Sequence, residues 1–141
     1  MSHSYWLFKS EPSTYSFADL QKDKTTNWNG VRNYQARNFF NQVKKGDLAL
    51  IYHSGDERAV VGISRVKKAA YPDPDPKKKG DWVQVDIEPV KPFKSQVTLS
   101  AIKSTTSLKN LPLIKQSRLS VMPITESHFN ALVALSEGKE K

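Results

Sequence analysis

Two short apolar runs set close together constrain this chain most. Leu48-Ala49-Leu50-Ile51-Tyr52-His53 and residues 59–66 are mostly apolar, the second rich in valine and isoleucine, and are separated by a stretch containing the turn formers Ser54-Gly55-Asp56. Runs of that length bounded by turn residues read as antiparallel strand neighbours. A strand pair with an apolar face must be covered, so a sheet is the natural centre of the fold. Tyr5-Trp6-Leu7-Phe8-Lys9 adds a buried strand, closed by Ser10-Glu11-Pro12. Trp82-Val83-Gln84-Val85-Asp86-Ile87 alternates, with Trp82, Gln84 and Asp86 on the face opposite Val83, Val85 and Ile87; Pro89 and Pro92 are expected to end it. Leu119-Ser120-Val121-Met122-Pro123-Ile124 is the last strand, at an edge because of its proline.

The helices between these strands are short. Ser16-Phe17-Ala18-Asp19 has the form of a capping box with Asp in place of Glu and opens a helix through Leu20. Residues 21–27 are a polar lead-in to a turn at Asn29-Gly30. Asn33 then caps a helix that starts at about Tyr34, carries Ala36, Phe39, Phe40 and Val43 at helical spacing, and stops at Gly46. One or two short helices are expected between Thr98 and Gln116, Leu99 to Lys103 among them, with a turn around Ser107 to Leu111. Thr125 caps a final helix with Phe129, Leu132, Val133 and Leu135 as its apolar stripe and Gly138 as its stop. Tyr71-Pro72-Asp73-Pro74-Asp75-Pro76-Lys77-Lys78-Lys79-Gly80 reads as a basic loop, since prolines at alternate positions remove donors and fix φ. Strands mixed with short helices, without β-α-β alternation, give an α+β chain: a small curved sheet or partly closed barrel of about five or six strands, decorated by helices.

At 141 residues the chain has the length of one domain. It has no cysteine, which excludes disulfides, thiolate metal sites and a thiol nucleophile. No apolar run is long enough to span a bilayer and the first residues lack a signal-peptide layout, so the chain reads as soluble, intracellular and without a membrane partner. Neither a Walker loop nor a GxGxxG pattern is present, and no cofactor or metal is expected. The formal net charge of +8 favours a polyanionic partner, nucleic acid before an anionic membrane surface, although excess lysine also serves solubility.

Residues 28–40 concentrate an aromatic, two arginines and several asparagines where a surface helix would carry lysine and glutamate. Asn33, Tyr34, Arg37 and Asn38 fall at or within one turn of the helix start, where backbone N–H groups favour anions or a planar polar ligand.

Tyr5 to Pro12, Trp28-x-Gly30-Val31-Arg32-Asn33-Tyr34-Gln35-Ala36-Arg37-Asn38, Tyr52-His53-Ser54, Tyr71-Pro72-Asp73 and Arg118-Leu119-Ser120-Val121 together resemble the EVE domain, in order and over nearly the whole chain. The resemblance implies a single PUA-like domain over residues 1–141, with a strongly bent, mixed or antiparallel barrel-like sheet similar to that of YTH domains. It also implies a reader that takes a modified base into a pocket. The chain is expected to work as a monomer in the bacterial cytoplasm. In some relatives the domain is fused to a nuclease; here the chain ends soon after the final helix, which points to recognition rather than cleavage.

Lifting a base from its stack costs a few kcal/mol, and aromatic faces recover ~1 to 3 kcal/mol per stacked base. Trp28, Tyr34, Tyr52 and Trp82 are the aromatic candidates. Asn33, Asn38, Ser10 and Ser54 can read the base edge, while Lys9, Arg37 and Arg118 hold flanking phosphates. Glu11, His53, Tyr71, Asp73 and Ser120 complete the expected pocket walls. The expected ligand is a modified cytosine or similar base, in DNA or RNA.

Each residue also has a plainer reading. Trp6, Phe8, Phe39 and Phe40 suit the core, and Trp28 suits either core or pocket. Asn33 can be only a cap, Arg32 can pair with Glu11 or Asp86, and Lys77 to Lys79 can be a solvated loop. His53 is read as a structural histidine or a ligand contact before a general base, and His128 as exposed. Two rival functions stand beside the reader: a small hydrolase or nuclease using His53 with Asp56, Glu57 or Asp73, and a basic protein-interaction module without a base pocket.

Overall fold

Strand β1 (Tyr5–Ser10) lies inside a mixed sheet in the computed structural model, which describes residues 4–28, 34–72, 82–116 and 119–138. It pairs in parallel with β3 (Leu48–His53) and antiparallel with β6 (Val121–Ile124). Beyond β3 come β4 (Ala59–Pro72), β5 (Val83–Thr98) and the short β2 (Thr26–Trp28), all antiparallel, in the order β2-β5-β4-β3-β1-β6. The sheet is curved and unclosed, with β2 and β6 at its edges; Pro123 stands on that β6 edge, as its sequence position requires. Among the described residues five short helices cover it: α1 (Phe17–Asp23), α2 (Tyr34–Phe40), α3 (Leu99–Lys103), α4 (Pro112–Lys115) and α5 (Glu126–Ser136), with a 3-10 turn at Thr106–Leu108. None of them, among the described residues, is long and apolar enough to cross a membrane. The core joins Leu7 and Phe8 of β1, Leu50 and Ile51 of β3, Ile87 of β5, Phe40 of α2 and Leu132 of α5, all essentially inaccessible.

Several sequence expectations are corrected. Strand β5 runs through Pro89 and Pro92 rather than ending there. Among the described residues β2 pairs with β5 only from Val85 to Ile87, so beyond that point β5 has no strand partner on that side and a missing N–H there breaks no ladder bond. Both prolines also sit beside register shifts against β4. Tyr71 and Pro72, expected in a loop, complete β4 opposite Gln84 and Val83. Gln84, placed on the half-exposed face by alternation, is buried; its amide accepts from Asn27 Nδ2 at 2.7 Å and donates to the Pro72 carbonyl at 3.2 Å. Helix α2 stops at Phe40 rather than Gly46, because the N–H groups of Gln42 and Val43 turn back to Phe39 and Phe40 in tighter turns. Strand β2 was not anticipated, the short helices expected between Thr98 and Gln116 are α3 and α4, and His128 is half-buried rather than exposed. Burial lowers its pKa.

Other local readings are borne out. Ser16 and Asp19 form a reciprocal capping box on α1, and Thr125 Oγ1 accepts from the His128 N–H to start α5. The turn at Asn29-Gly30, the Asn33 cap, Arg32, and the loop from Asp73 to Gly80 lie outside the described residues.

Two tertiary locks position the loop between β1 and α1. The Phe17 ring lies flat against Gly62 of β4, its carbons 2.6–2.7 Å from where a Cβ would stand, so only glycine lets α1 pack this close. Gly55 has φ +77° and faces the Glu11 carboxylate, which fills the space of the missing Cβ. At the other end of the sheet, the buried Asp47 carboxylate accepts from Ser4 N–H at 3.0 Å, Trp6 Nε1 at 2.9 Å and Lys44 N–H at 2.8 Å, fastening the start of β1 to the turn before β3.

Candidate nucleic-acid interface

The end of β1 opens into a cleft of about 460 Å³. Lys9 and Ser10 form one side, Glu11, Thr14 and Tyr15 the loop wall, and Thr26, Asn27 and Trp28 of β2 the other side. The loop wall is built by the backbone. The N–H groups of Thr14 and Tyr15 both donate to the Glu11 carbonyl at 2.9 Å, and Ser10 Oγ donates to the Tyr15 carbonyl. Strand β2 exists because the β-prone Thr25-Thr26 pair finds β5, with Thr25 Oγ1 donating to the Ile87 carbonyl.

Trp28 is half-buried between core and cleft. One neighbour is Phe8, with ring centroids 5.8 Å apart, and the other is Tyr15, whose ring stands at 84° to it with centroids 6.2 Å apart. The Tyr15 hydroxyl donates to Asp23 Oδ2 at 2.8 Å, which fixes its ring, and burial pushes its pKa up, with Asp23 adding to the rise. Two aromatic surfaces at right angles therefore meet at one corner of the cleft.

Lys9 reaches back over Tyr52, its Nζ 5.9 Å from the ring centroid, and burial lowers its pKa. Tyr52 is buried behind it, and burial raises its phenol pKa. Ser54 donates its N–H to the Ser10 carbonyl at 2.9 Å, and the Ser120 carbonyl accepts from the Lys9 N–H at 2.9 Å, so both act here through the backbone of the cleft's first wall.

His53 is buried and engaged on both ring nitrogens. Nε2 is 3.0 Å from the Phe17 amide, and a backbone amide can only donate, so Nε2 carries no proton. The proton is on Nδ1 and is donated to Glu57 Oε1 at 2.5 Å. The ring is neutral and ties α1 to the β3–β4 hairpin, which leaves no nitrogen for the general-base role considered from sequence.

Further sequence candidates lie on α2 and β4. Arg37 of α2 places its guanidinium 5.5 Å from the Trp82 ring centroid, and Asn38 is exposed on the same helix. Tyr34 opens α2. Tyr71 donates its hydroxyl to Asp86 Oδ1, with Lys68 Nζ 4.1 Å above its ring. Asn33, Asp73 and Arg118 lie outside the described residues. Sequence reading missed Thr14, Tyr15, Thr26 and Asn27; the signal was the alternation of Thr26 and Trp28 with polar Asn27, a strand pattern too short to stand out.

Burial and the Asp86 carboxylate raise the Tyr71 phenol from 10.0 to about 12. Because the folded pKa lies above the ordinary one, this interaction contributes fully below pH 10 and fades as pH rises towards about 12. Absorbance titration of the protein minus that of Tyr71→Phe should therefore show one tyrosine ionising late, near 12. A difference curve centred at 10 would contradict the Asp86 pairing.

The EVE domain family matches residues 4–135. Chicken thymocyte nuclear protein 1 is 37% identical, the match covering 99% of this chain and 71% of the relative. Among solved structures, a hypothetical protein from Leishmania major has a TM-score of 0.92 at 37% identity, covering 97% of this chain and 96% of its own. Human THYN1 protein, solved in complex with 5-methylcytosine-containing DNA, has a TM-score of 0.87 at 37% identity over 98% of this chain and 99% of its own. An ASCH protein from Zymomonas mobilis shares the PUA-like fold alone, at 11% identity and a TM-score of 0.60 over 95% of this chain and 96% of its own. By sequence and by structure, this chain belongs to the EVE domain family.

Proposed function

We propose that this chain is a nucleic-acid-binding module that takes a modified base, 5-methylcytosine in DNA foremost, into the cleft between β1, the 11–15 loop and β2. The observation that carries the reading is the Trp28–Tyr15 corner beside Lys9 and Glu11, in a fold shared with a relative solved on 5-methylcytosine-containing DNA. The aromatic corner gives a lifted base a stacking surface and a methyl group an apolar contact. Glu11 is suited to accept from an exocyclic amine, and Lys9 to meet a base acceptor or the adjoining phosphate. Ser10 and Ser54 donate their hydroxyls to main-chain carbonyls, so their part is to shape the wall. Arg37 with Trp82, together with Asn33, Tyr34, Asn38, Tyr71, Asp73 and Arg118, is assigned to the flanking strand.

We read the module as a binder rather than a hydrolase, which the doubly engaged His53 supports. A cleft formed within one chain supports a monomer, and a nucleic-acid ligand supports an intracellular location. Fluorescence anisotropy with short DNA and RNA oligonucleotides, each with or without one 5-methylcytosine at fixed salt, tests the reading. At least one modified oligonucleotide should bind about fivefold tighter or more, corresponding to ~1 kcal/mol from one methyl group. Equal affinity for modified DNA, unmodified DNA and heparin would leave only the charge explanation.

A further inference from the structure

A second cleft, of about 550 Å³, lies between the end of the β3–β4 hairpin and α3, where Arg58 and Lys103 face it together with the hydroxyl residues Thr98, Ser100 and Ser104. Arg58 has φ +44°, a left-handed conformation normally left to glycine or asparagine. The fold holds it there: Leu99 donates its N–H to the Arg58 carbonyl at 2.8 Å, pinning the hairpin end to the start of α3. A long cation at such a position is costly locally, and strain of this kind concentrates at functional sites. Neither Arg58 nor Lys103 forms an ion pair among the described residues, whereas Arg65 on the same strand as the hairpin pairs with Glu88. The acid of this cleft, Glu57, is drawn to His53 Nδ1. Thr98 Oγ1 accepts from the Ala101 N–H, which leaves its own hydroxyl proton to donate.

The same hairpin touches the base cleft, because Gly55 packs on Glu11. From Gly55 to Arg58 the chain advances three residues, so these two positions stand at most ~11 Å apart, within the span of one or two nucleotides of strand. We propose that the Arg58–Lys103 cleft is a backbone subsite, which holds phosphates of the strand flanking the base bound between β1 and β2. The proposal rests on the base-reading function and adds where the strand leaves the pocket. The subsite is indifferent to sequence and gives salt-dependent affinity.

The test compares the salt dependence of binding of a single-stranded 5-methylcytosine oligonucleotide to the protein, to Arg58→Gly with Lys103→Ala, and to a control with the same loss of charge, Lys45→Ala with Lys115→Ala. Glycine relieves the left-handed strain at position 58, so the double variant should fold as well as the parent. The slope of log affinity against log salt should become shallower by about 0.7 for each lost phosphate contact. The control should keep the parent slope, and the preference for the methylated base should persist in both. An unchanged slope in the Arg58–Lys103 variant, or an equal change in the control, would overturn the subsite while leaving the base reader intact. Failure of the parent protein to bind any oligonucleotide would overturn both.

Discussion

Asp47→Ala should destabilise the protein by about 3 to 5 kcal/mol, read as a lowered urea midpoint at unchanged m-value. The Asp47 carboxylate is 2% exposed and accepts three hydrogen bonds, from Ser4, Trp6 and Lys44. Bonds to a charged acceptor contribute ~1.5 to 3 kcal/mol each, but the Ser4 and Lys44 amides are only partly buried and regain water when the carboxylate is removed. The Trp6 indole N–H cannot, since Trp6 is 3% exposed. The backbone of Asp47 is equally committed, donating to the Lys44 carbonyl at 3.0 Å and accepting from the Val66 N–H at 2.8 Å, so the side chain and main chain together fix where β1 and β3 begin and hold the start of β3 against the middle of β4. Asp47→Asn retains an oxygen acceptor but turns an amide N–H2 against one of the three donors, and should cost about half as much. A loss below ~1 kcal/mol in the alanine variant would mean that the three donors find other partners.

The contrast between Asp47 and the capping residues shows what sequence could convey. Ser16 with Asp19 and Thr125 with His128 act within one turn of chain, so their chemistry is written in adjacent letters. Asp47 follows Gly46 and reads as a turn residue; its main partner, the Trp6 indole, is 41 positions away. Strand existence was legible at Tyr5–Ser10, Leu48–His53 and Val121–Ile124, because local periodicity and flanking turn formers agree. The length of β5 was not, since Pro89 and Pro92 break a central strand but not one whose outer neighbour has already ended. The cleft was half legible in the same way. Lys9, Ser10, Glu11 and Trp28 came from recognised motifs. Tyr15 was hidden because its partners, Asp23 and Trp28, meet it only once α1 has folded back and β2 has found β5.

Trp28→Ala should weaken binding of a 5-methylcytosine oligonucleotide by ~1 to 3 kcal/mol, about 5- to 150-fold, because a base seated in the proposed cleft loses the larger of its two aromatic surfaces. Part of any loss could come from structure: Trp28 also packs on Phe8, and its removal leaves space beside a fully buried core ring. Two readouts separate the causes. Trp28→Phe keeps an aromatic face and most of the Phe8 contact, so it should recover much of the affinity; a structural role alone predicts that the two variants rank by stability instead. Salt dependence is the second readout. Stacking involves no counterion release, so Trp28→Ala should lower affinity by the same factor at every salt concentration and leave the slope unchanged, opposite to the effect expected at Arg58 and Lys103. The preference for the methylated base should also shrink, because the methyl group needs the indole face as its contact. Retention of both affinity and methyl preference in Trp28→Ala would move the base pocket away from β2 altogether.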